Sequence, residues 1–327
     1  MERRTFITLL GATAAWPLSA RAQQGERMRR IGILMNVGES DAEARTRLSA
    51  FVQKLKDFGW TDGRNVTIDV RWGEGEEERY QRYASELVAR RPDVILSVTS
   101  PVGVALRRVS KMVPIVFNSV IDPVGGGLVA SMARPGGNTT GFALFEYAIA
   151  AKWLQLLKEV APTVSRAAVL RDPTIAAGIG QFAAIQAVGP TVTDLSVIDL
   201  HDTSGIERAV AEFARTPNGG LIVTASAFGA NHPDVIATLA ARYNLPAIYP
   251  FRYFVAAGGL MSYGPEFISQ SVQTAEYVDR ILKGESPSDL PVQATSKYEL
   301  VINLRAAKAL GLALPATLLG RADEVIE

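Results

Sequence analysis

Four junctions along this chain repeat one device. Thr99-Ser100-Pro101, Asp122-Pro123, Asp172-Pro173 and Asn231-His232-Pro233 each place a capping side chain at or next to a proline. These are helix starts: the side-chain oxygen accepts from a first-turn N–H, and proline suits the first helical position. A helix start also gathers free N–H groups that favour an anion, and a neighbouring hydroxyl adds one more donor. Thr99 and Ser100 are the best candidates for holding a carboxylate. Asp122 or Asp172 could pair with an ammonium group. Asn36, Asn118 and Ser226, at the ends of other apolar runs, complete the polar set. Taken singly, each junction reads equally well as a plain cap. Their repetition is what points to a binding site. Tyr249, Phe251 and Tyr263 follow or end apolar runs and could wall the apolar part of a small ligand, whereas Phe254 is expected in the core.

Other chemistries find little support. The chain has no cysteine and two histidines, His201 and His232, far apart in sequence. A nucleophilic triad or a histidine-rich metal site therefore has few possible members. Gly178-Ile179-Gly180 lies inside a helical stretch rather than opening a helix after a strand, so it is no dinucleotide fingerprint. Gly125-Gly126-Gly127 lacks a phosphate-loop lysine, and there is no G-x-S-x-G elbow. Carboxylates are plentiful but no pair stands out. The expectation is a binding protein, not an enzyme, with no cofactor and no metal.

The elements that must position these residues alternate. Strands are expected at residues 30–35, 66–70, 93–98, 115–118, 167–170, 192–198, 221–224, 247–249, 259–263 and 298–301. Helices are expected at 41–58, 80–90, 152–160, 175–187, 205–215, 234–243, 267–283 and 306–310, with Gly59 closing the first as a C-cap. This order gives an α/β fold with two doubly wound parallel-sheet lobes. All the capped junctions then fall at the carboxyl ends of strands, where open α/β sheets bind ligands. Gly136 to Gly141 reads as a turn before the first crossover between the lobes.

The first 22 residues read as an address. Arg3-Arg4 precedes the apolar run from Phe6 to Trp16, and Ala20-Arg21-Ala22 supplies a cleavage site. The run is short of the roughly 20 apolar residues that span a bilayer. Arg3-Arg4-Thr5-Phe6-Ile7 resembles a twin-arginine signal, with the general secretory route as the alternative. Without the leader, 31 basic and 32 acidic residues remain, which gives no electrostatic case for nucleic acid. With no lipobox cysteine, a soluble periplasmic protein without a lipid anchor is expected.

Several segments carry a family likeness. They include Gly63-Arg-Asn-Val-Thr-Ile68 with Arg71-Trp72, Pro114-Ile-Val-Phe117, Asp122-Pro123 and Ala133-Arg-Pro-Gly-Gly-Asn138. The most specific are Leu245-Pro-Ala-Ile-Tyr-Pro250, Phe254-Val-Ala-Ala-Gly-Gly-Leu-Met-Ser-Tyr-Gly264, Ile281-Leu-Lys-Gly-Glu285 and Lys297-Tyr-Glu-Leu-Val-Ile-Asn303. The chain resembles the ABC-transporter substrate-binding proteins of the tryptophan/tyrosine type, which have a type I periplasmic-binding-protein fold. It departs from the common pattern at Arg171-Asp172-Pro173, where many relatives carry an asparagine-rich loop.

The resemblance implies two lobes joined by three crossovers, with a small organic solute held between them by hinge closure. The solute would be an amino acid or an aromatic or aliphatic carboxylate, and a sugar stays open. The implied partner is an inner-membrane ABC permease with its ATPase, and the implied state is a monomer. The resemblance also implies that the strand near Leu260–Tyr263 and its following helix return to the first lobe. That gives lobes of residues 28–143 plus 259–290, and 144–258 plus 291–327. A sensory module for a membrane kinase, or an α/β enzyme, are the alternatives.

Overall fold

The computed structural model describes residues 27–189 and 194–327. The expected leader and the start of the expected strand at 192 lie outside them. Two sheets organise the chain. The first holds β1 (Arg29–Met35), β2 (Val66–Trp72), β3 (Val94–Val98), β4 (Ile115–Val120), β5 (Thr139–Ala143) and β11 (Gln293–Ala294), in the order β11-β5-β4-β3-β1-β2, all parallel. The second holds β6 (Arg166–Arg171), β7 (Asp194–Asp199), β8 (Gly219–Val223), β9 (Ala247–Tyr249), β10 (Met261–Pro265), β12 (Tyr298–Asn303) and β13 (Glu324–Ile326). Its order is β13-β12-β10-β9-β8-β6-β7, and only the β10–β12 pairing is antiparallel.

Strand alternation builds the cores. Ile31 and Ile33 face one side of the first sheet with Phe51 and Leu55, while Leu34 faces the other with Leu87 and Leu106. In the second sheet Leu170, Leu221 and Tyr249 face one cluster, and Val169, Ile222 and Ile248 the other. Buried on both faces, these strands read as continuous apolar runs. Helices α1 (Ala42–Asp57), α2 (Glu77–Ala89) and α3 (Ser100–Val109) cover the first sheet. Asp41 starts α1 by accepting the Ala44 N–H at 2.7 Å, and Gly59 ends it in the left-handed region at φ 94°. The second sheet is covered by α4 (Ile149–Val160), α5 (Ala176–Val188), α6 (Thr203–Ala214), α7 (Ala227–Asn231), α8 (Pro233–Arg242), α9 (Arg252–Ala256), α11 (Leu304–Ala309) and α12 (Ala316–Leu319).

Three expectations are corrected. Thr139–Ala143 is a buried strand, β5, and only Gly136 and Gly137 before it turn with positive φ. Threonine and glycine gave this segment the look of a loop, yet the Thr140 hydroxyl donates to the Leu290 carbonyl at 2.5 Å inside the fold. The strand of Leu260–Tyr263 does not return to the first unit. As β10 it pairs with β9 through Met261 and Ser262, and with β12 from Met261 to Pro265. The Trp153 indole of α4 also donates to the Tyr263 carbonyl at 2.7 Å. Only the next helix, α10 (Phe267–Leu282), crosses back, packing on α1 and β4. Residues 293–294, expected in the second lobe, pair with β5 instead. The chain thus passes between the sheets after β5, after β10 and after β11.

Candidate functional site

The ends of β1, β3 and β4 lie side by side because those strands are neighbours in one parallel sheet. Three non-glycine residues there take left-handed backbone: Thr99 at φ 76°, Ser119 at 56° and Asp122 at 47°. Such conformations are costly for residues with a Cβ and gather where function fixes a loop. Thr99 and Asn118 are locked by the Thr99 N–H donating to the Asn118 carbonyl at 2.9 Å.

Each predicted polar residue has a definite place. The Asn36 carbonyl accepts from the Tyr80 hydroxyl at 3.0 Å and from the Gly75 N–H at 2.7 Å. The Ser100 hydroxyl is engaged by the β4 loop: it accepts the Ile121 N–H at 3.2 Å and faces the Ile121 carbonyl at 3.3 Å. It therefore supports the site's frame rather than standing free for an anion. Ser100→Ala is expected to lower stability by about 0.5–1.5 kcal/mol, read as a shift of the urea midpoint; an unchanged midpoint would remove this strut. Asn118 is buried, donates to the Thr274 hydroxyl at 3.1 Å and accepts from the Ser119 hydroxyl at 2.8 Å, tying β4 to α10. Asp122 accepts the Gly125 N–H at 2.8 Å.

On the second sheet, Asp172 accepts the Thr174 N–H at 2.9 Å and its hydroxyl at 2.6 Å. Ser226 caps α7 by accepting the Gly229 N–H at 2.9 Å. The aromatic residues do not form one wall. Tyr249 is fully buried and stacks on Phe254 at 4.9 Å; burial pushes its phenol above the usual tyrosine range. Phe251 joins Tyr253, Phe267 and Phe145 at centroid distances of 5.3, 5.7 and 6.2 Å. Tyr263 points to the opposite face of the sheet and stacks on Tyr298 at 5.8 Å. Strand alternation separates Tyr263 from Tyr249, and Phe254 is in the core as expected.

The structure adds residues that spacing did not single out. Tyr147, in the segment leading from β5 to α4, lays its ring over Gly180 of α5, where a Cβ would come within 2.4 Å of it. Its buried hydroxyl makes no well-formed hydrogen bond. Burial, and behind it the nearby Asp122 carboxylate, push its pKa up to about 12. This contact joins the end of β4 to the second sheet's layer. A charged cluster joins the two units elsewhere. Arg252 of α9 reaches Glu324 at 2.5 Å, Glu299 at 3.5 Å and, across the junction, Glu43 of α1 at 3.9 Å. Burial, opposed by Arg252 and reinforced by Glu266, Glu324 and Glu43, raises the Glu299 carboxyl to about 7. One turn after Glu43, Arg47 lies over the Phe267 ring at 4.6 Å. Its signal was present in the sequence: Arg47 stands three residues after Ala44 and four before Phe51, a cation on the buried stripe of α1.

Among the described residues, no cluster of three or more histidines or carboxylates could hold a metal ion, and no helix is long and apolar enough to cross a membrane.

Comparison with known proteins fits this architecture. A tyrosine-binding protein of Clostridioides difficile is 25% identical over 270 residues, covering 80% of this chain and 75% of the relative. A conserved domain protein of Vibrio cholerae superposes with a TM-score of 0.80 at 26% identity, covering 91% of this chain and all of that one. The ABC domain of Streptococcus pneumoniae in complex with L-tryptophan gives a TM-score of 0.80 at 24% identity, over 92% of this chain and 100% of its own. The model of the ABC transporter substrate binding proteins matches residues 30–326. With two parallel-sheet units whose strand ends carry the strained, capped loops, and with that match running nearly end to end, this chain belongs to the ABC transporter substrate binding protein family.

Proposed function

We propose that the protein is the solute receptor of an ABC importer, working in the periplasm after export by its leader. It captures an amino acid or an aromatic or aliphatic carboxylate between the two units, delivers it to an inner-membrane permease, and performs no catalysis. The observation that carries this reading is the set of left-handed residues Thr99, Ser119 and Asp122 at adjoining strand ends of a family member. Asn36, Thr99 and Asp122 belong to the first unit's side of the site, with Ser100 and Asn118 holding the loops. Asp172, Ser226 and Phe251 belong to the second side, while Tyr249 and Tyr263 back it from the sheet. Asp122 receives an ammonium group if the solute has one. Three passages of chain between the sheets suit a hinge, and a solute touching both sides biases that hinge toward closure.

The test is a thermal-shift screen of the protein from residue 23 onward. Tyrosine and tryptophan head the panel because relatives are known with them, followed by aromatic acids, short carboxylates and sugars. A true ligand at about a hundred times its Kd stabilises the fold by about 2.7 kcal/mol and is recovered chemically unchanged. A panel that leaves the melting curve in place, from protein shown by mass spectrometry to be ligand-free, would reject these solute classes. Conversion of a bound solute would reject the receptor role.

A further inference from the structure

Arg47 stands in the second turn of α1, on the side that faces the first sheet. Its side chain is 22% exposed, and it lies among residues that have no need of a charge. Ala44, Phe51 and Leu55 on the same face pack under the first sheet. A guanidinium has five N–H donors. Among the described residues the hydrogen bonds of Arg47 go to Glu43, through Nε to the main-chain carbonyl at 3.3 Å and a terminal nitrogen to the carboxylate at 3.5 Å, while the Phe267 ring lies against it and Asp41 and Tyr253 also favour its charged form. Arg321, more exposed, is paired more tightly: one of its nitrogens lies 2.6 Å from both oxygens of Glu159.

Glu43 is a weak counter-ion for a half-buried cation. It is 41% exposed and shared with Arg252. Burial accordingly pulls the guanidinium below its usual range. Beside Arg47 lies a cavity of about 20 Å³, which Asn118, Ser119 and Ser271 also line over an apolar floor including Met35 and Phe51. That volume admits roughly one oxygen-sized atom. It opens where β4 ends, next to left-handed Ser119, and Phe267 links Arg47 to the aromatic cluster around Phe251 of the second unit.

A half-buried, loosely paired cation beside a largely apolar cavity that Asn118, Ser119 and Ser271 border is an arrangement that an anion can complete. We propose that Arg47 is the anion-recognition residue of the solute site and receives the carboxylate of the captured solute. The proposal rests on the receptor reading above. It moves the acid group away from Ser100, whose hydroxyl is already engaged with Ile121. It selects solutes that carry a carboxylate and disfavours neutral sugars, because a solute that covers a half-buried cation without pairing it leaves the cation's desolvation unmatched.

Arg47→Met keeps an unbranched side chain of similar reach and removes the charge. Two readouts separate recognition from structure. First, the ligand-free melting temperature of the variant is compared with that of the parent protein. Recognition predicts an equal or higher value, since Glu43 remains solvated and a half-buried charge is gone. A fall of several degrees identifies Arg47 as a brace between helices and overturns the proposal.

Second, tyrosine, tryptophan and benzoate are each titrated against their primary amides. The parent protein is expected to bind acids at least tenfold more tightly than amides, and Arg47→Met to lose that preference. Equal binding of acid and amide by the parent, or an undiminished preference in the variant, overturns the role of Arg47 while leaving the receptor reading intact. If none of the six compounds binds the parent, the receptor reading fails for these solutes, and the melting comparison still decides whether Arg47 is a brace.

Discussion

Replacing Trp153 by alanine is expected to destabilise the second unit by about 3–5 kcal/mol, the range for deleting a large buried aromatic. Trp153 is among the largest fully buried side chains, and it packs with Leu154, Leu157, Ile222, Ile248 and Met261. It also has a polar duty. Its indole N–H donates to the Tyr263 carbonyl at 2.7 Å, fixing β10 two residues before the chain leaves for α10. The loss is therefore a cavity together with a buried hydrogen bond, and a bond of this kind adds about 1 kcal/mol. Trp153→Phe separates the two, because it retains most of the volume and loses only the donor. Thermal melts should place the phenylalanine variant between the parent and the alanine variant. An alanine variant melting within a degree of the parent would mean that β10 is held by its strand pairing alone.

The second large effect is a pH dependence centred on Glu299. Its side chain lies on β12, 7% exposed, with Arg252 of α9, Glu266 before α10, Glu324 of β13 and Glu43 of α1 around it. Desolvation disfavours its ionised form first, the surrounding carboxylates add to that, and Arg252 opposes them, leaving the carboxyl at about 7 against an ordinary 4.5. Because the folded pKa is the higher one, the folded state holds this proton more tightly than the unfolded chain. The stabilisation is fully present below about 4.5 and is lost as pH rises to about 7. Its size over that window is at most about 3.5 kcal/mol, from roughly 1.4 kcal/mol per pH unit.

Glu299→Gln removes the titration and keeps the shape. The variant should melt near the parent at pH 4.5 and several degrees above it at pH 8. Parallel melting curves at the two pH values would exclude Glu299 as a source of pH dependence. Because Glu43 of the other unit is one of the groups raising this carboxyl, Glu43→Gln should shrink the same difference.

How much of this was legible beforehand differs from element to element. The strands β1, β3, β4, β6, β8 and β9 were legible because strands buried on both faces are near-continuous apolar runs between helical stretches. The helix start at Asp41 was legible because a side-chain oxygen three residues before an N–H is a purely local arrangement, whereas the short helix that Ser226 caps was not expected. The resemblance carried the family, and the match over residues 30–326 bears it out. The candidate site was legible only as a set of strand ends. Which atoms stand free there was not.

The sequence by itself determined the alternating α/β order, the carboxyl-end loops and the family. These follow from local propensity, hydrophobic period and short motifs. Tertiary structure decided that β10 stays in the second sheet while α10 crosses back, that Thr139–Ala143 is a core strand, and that Tyr249 and Tyr263 face opposite ways. It also decided that the Ser100 hydroxyl is taken by Ile121 while Arg47 is half-buried with Glu43 as its hydrogen-bond partner. Each of these depends on partners far along the chain, as when Trp60 donates to Asp279 at 2.8 Å across 219 residues. A segment's own residues fix its period and its caps. Which neighbour satisfies a buried polar group is settled only when distant segments compete for the same space.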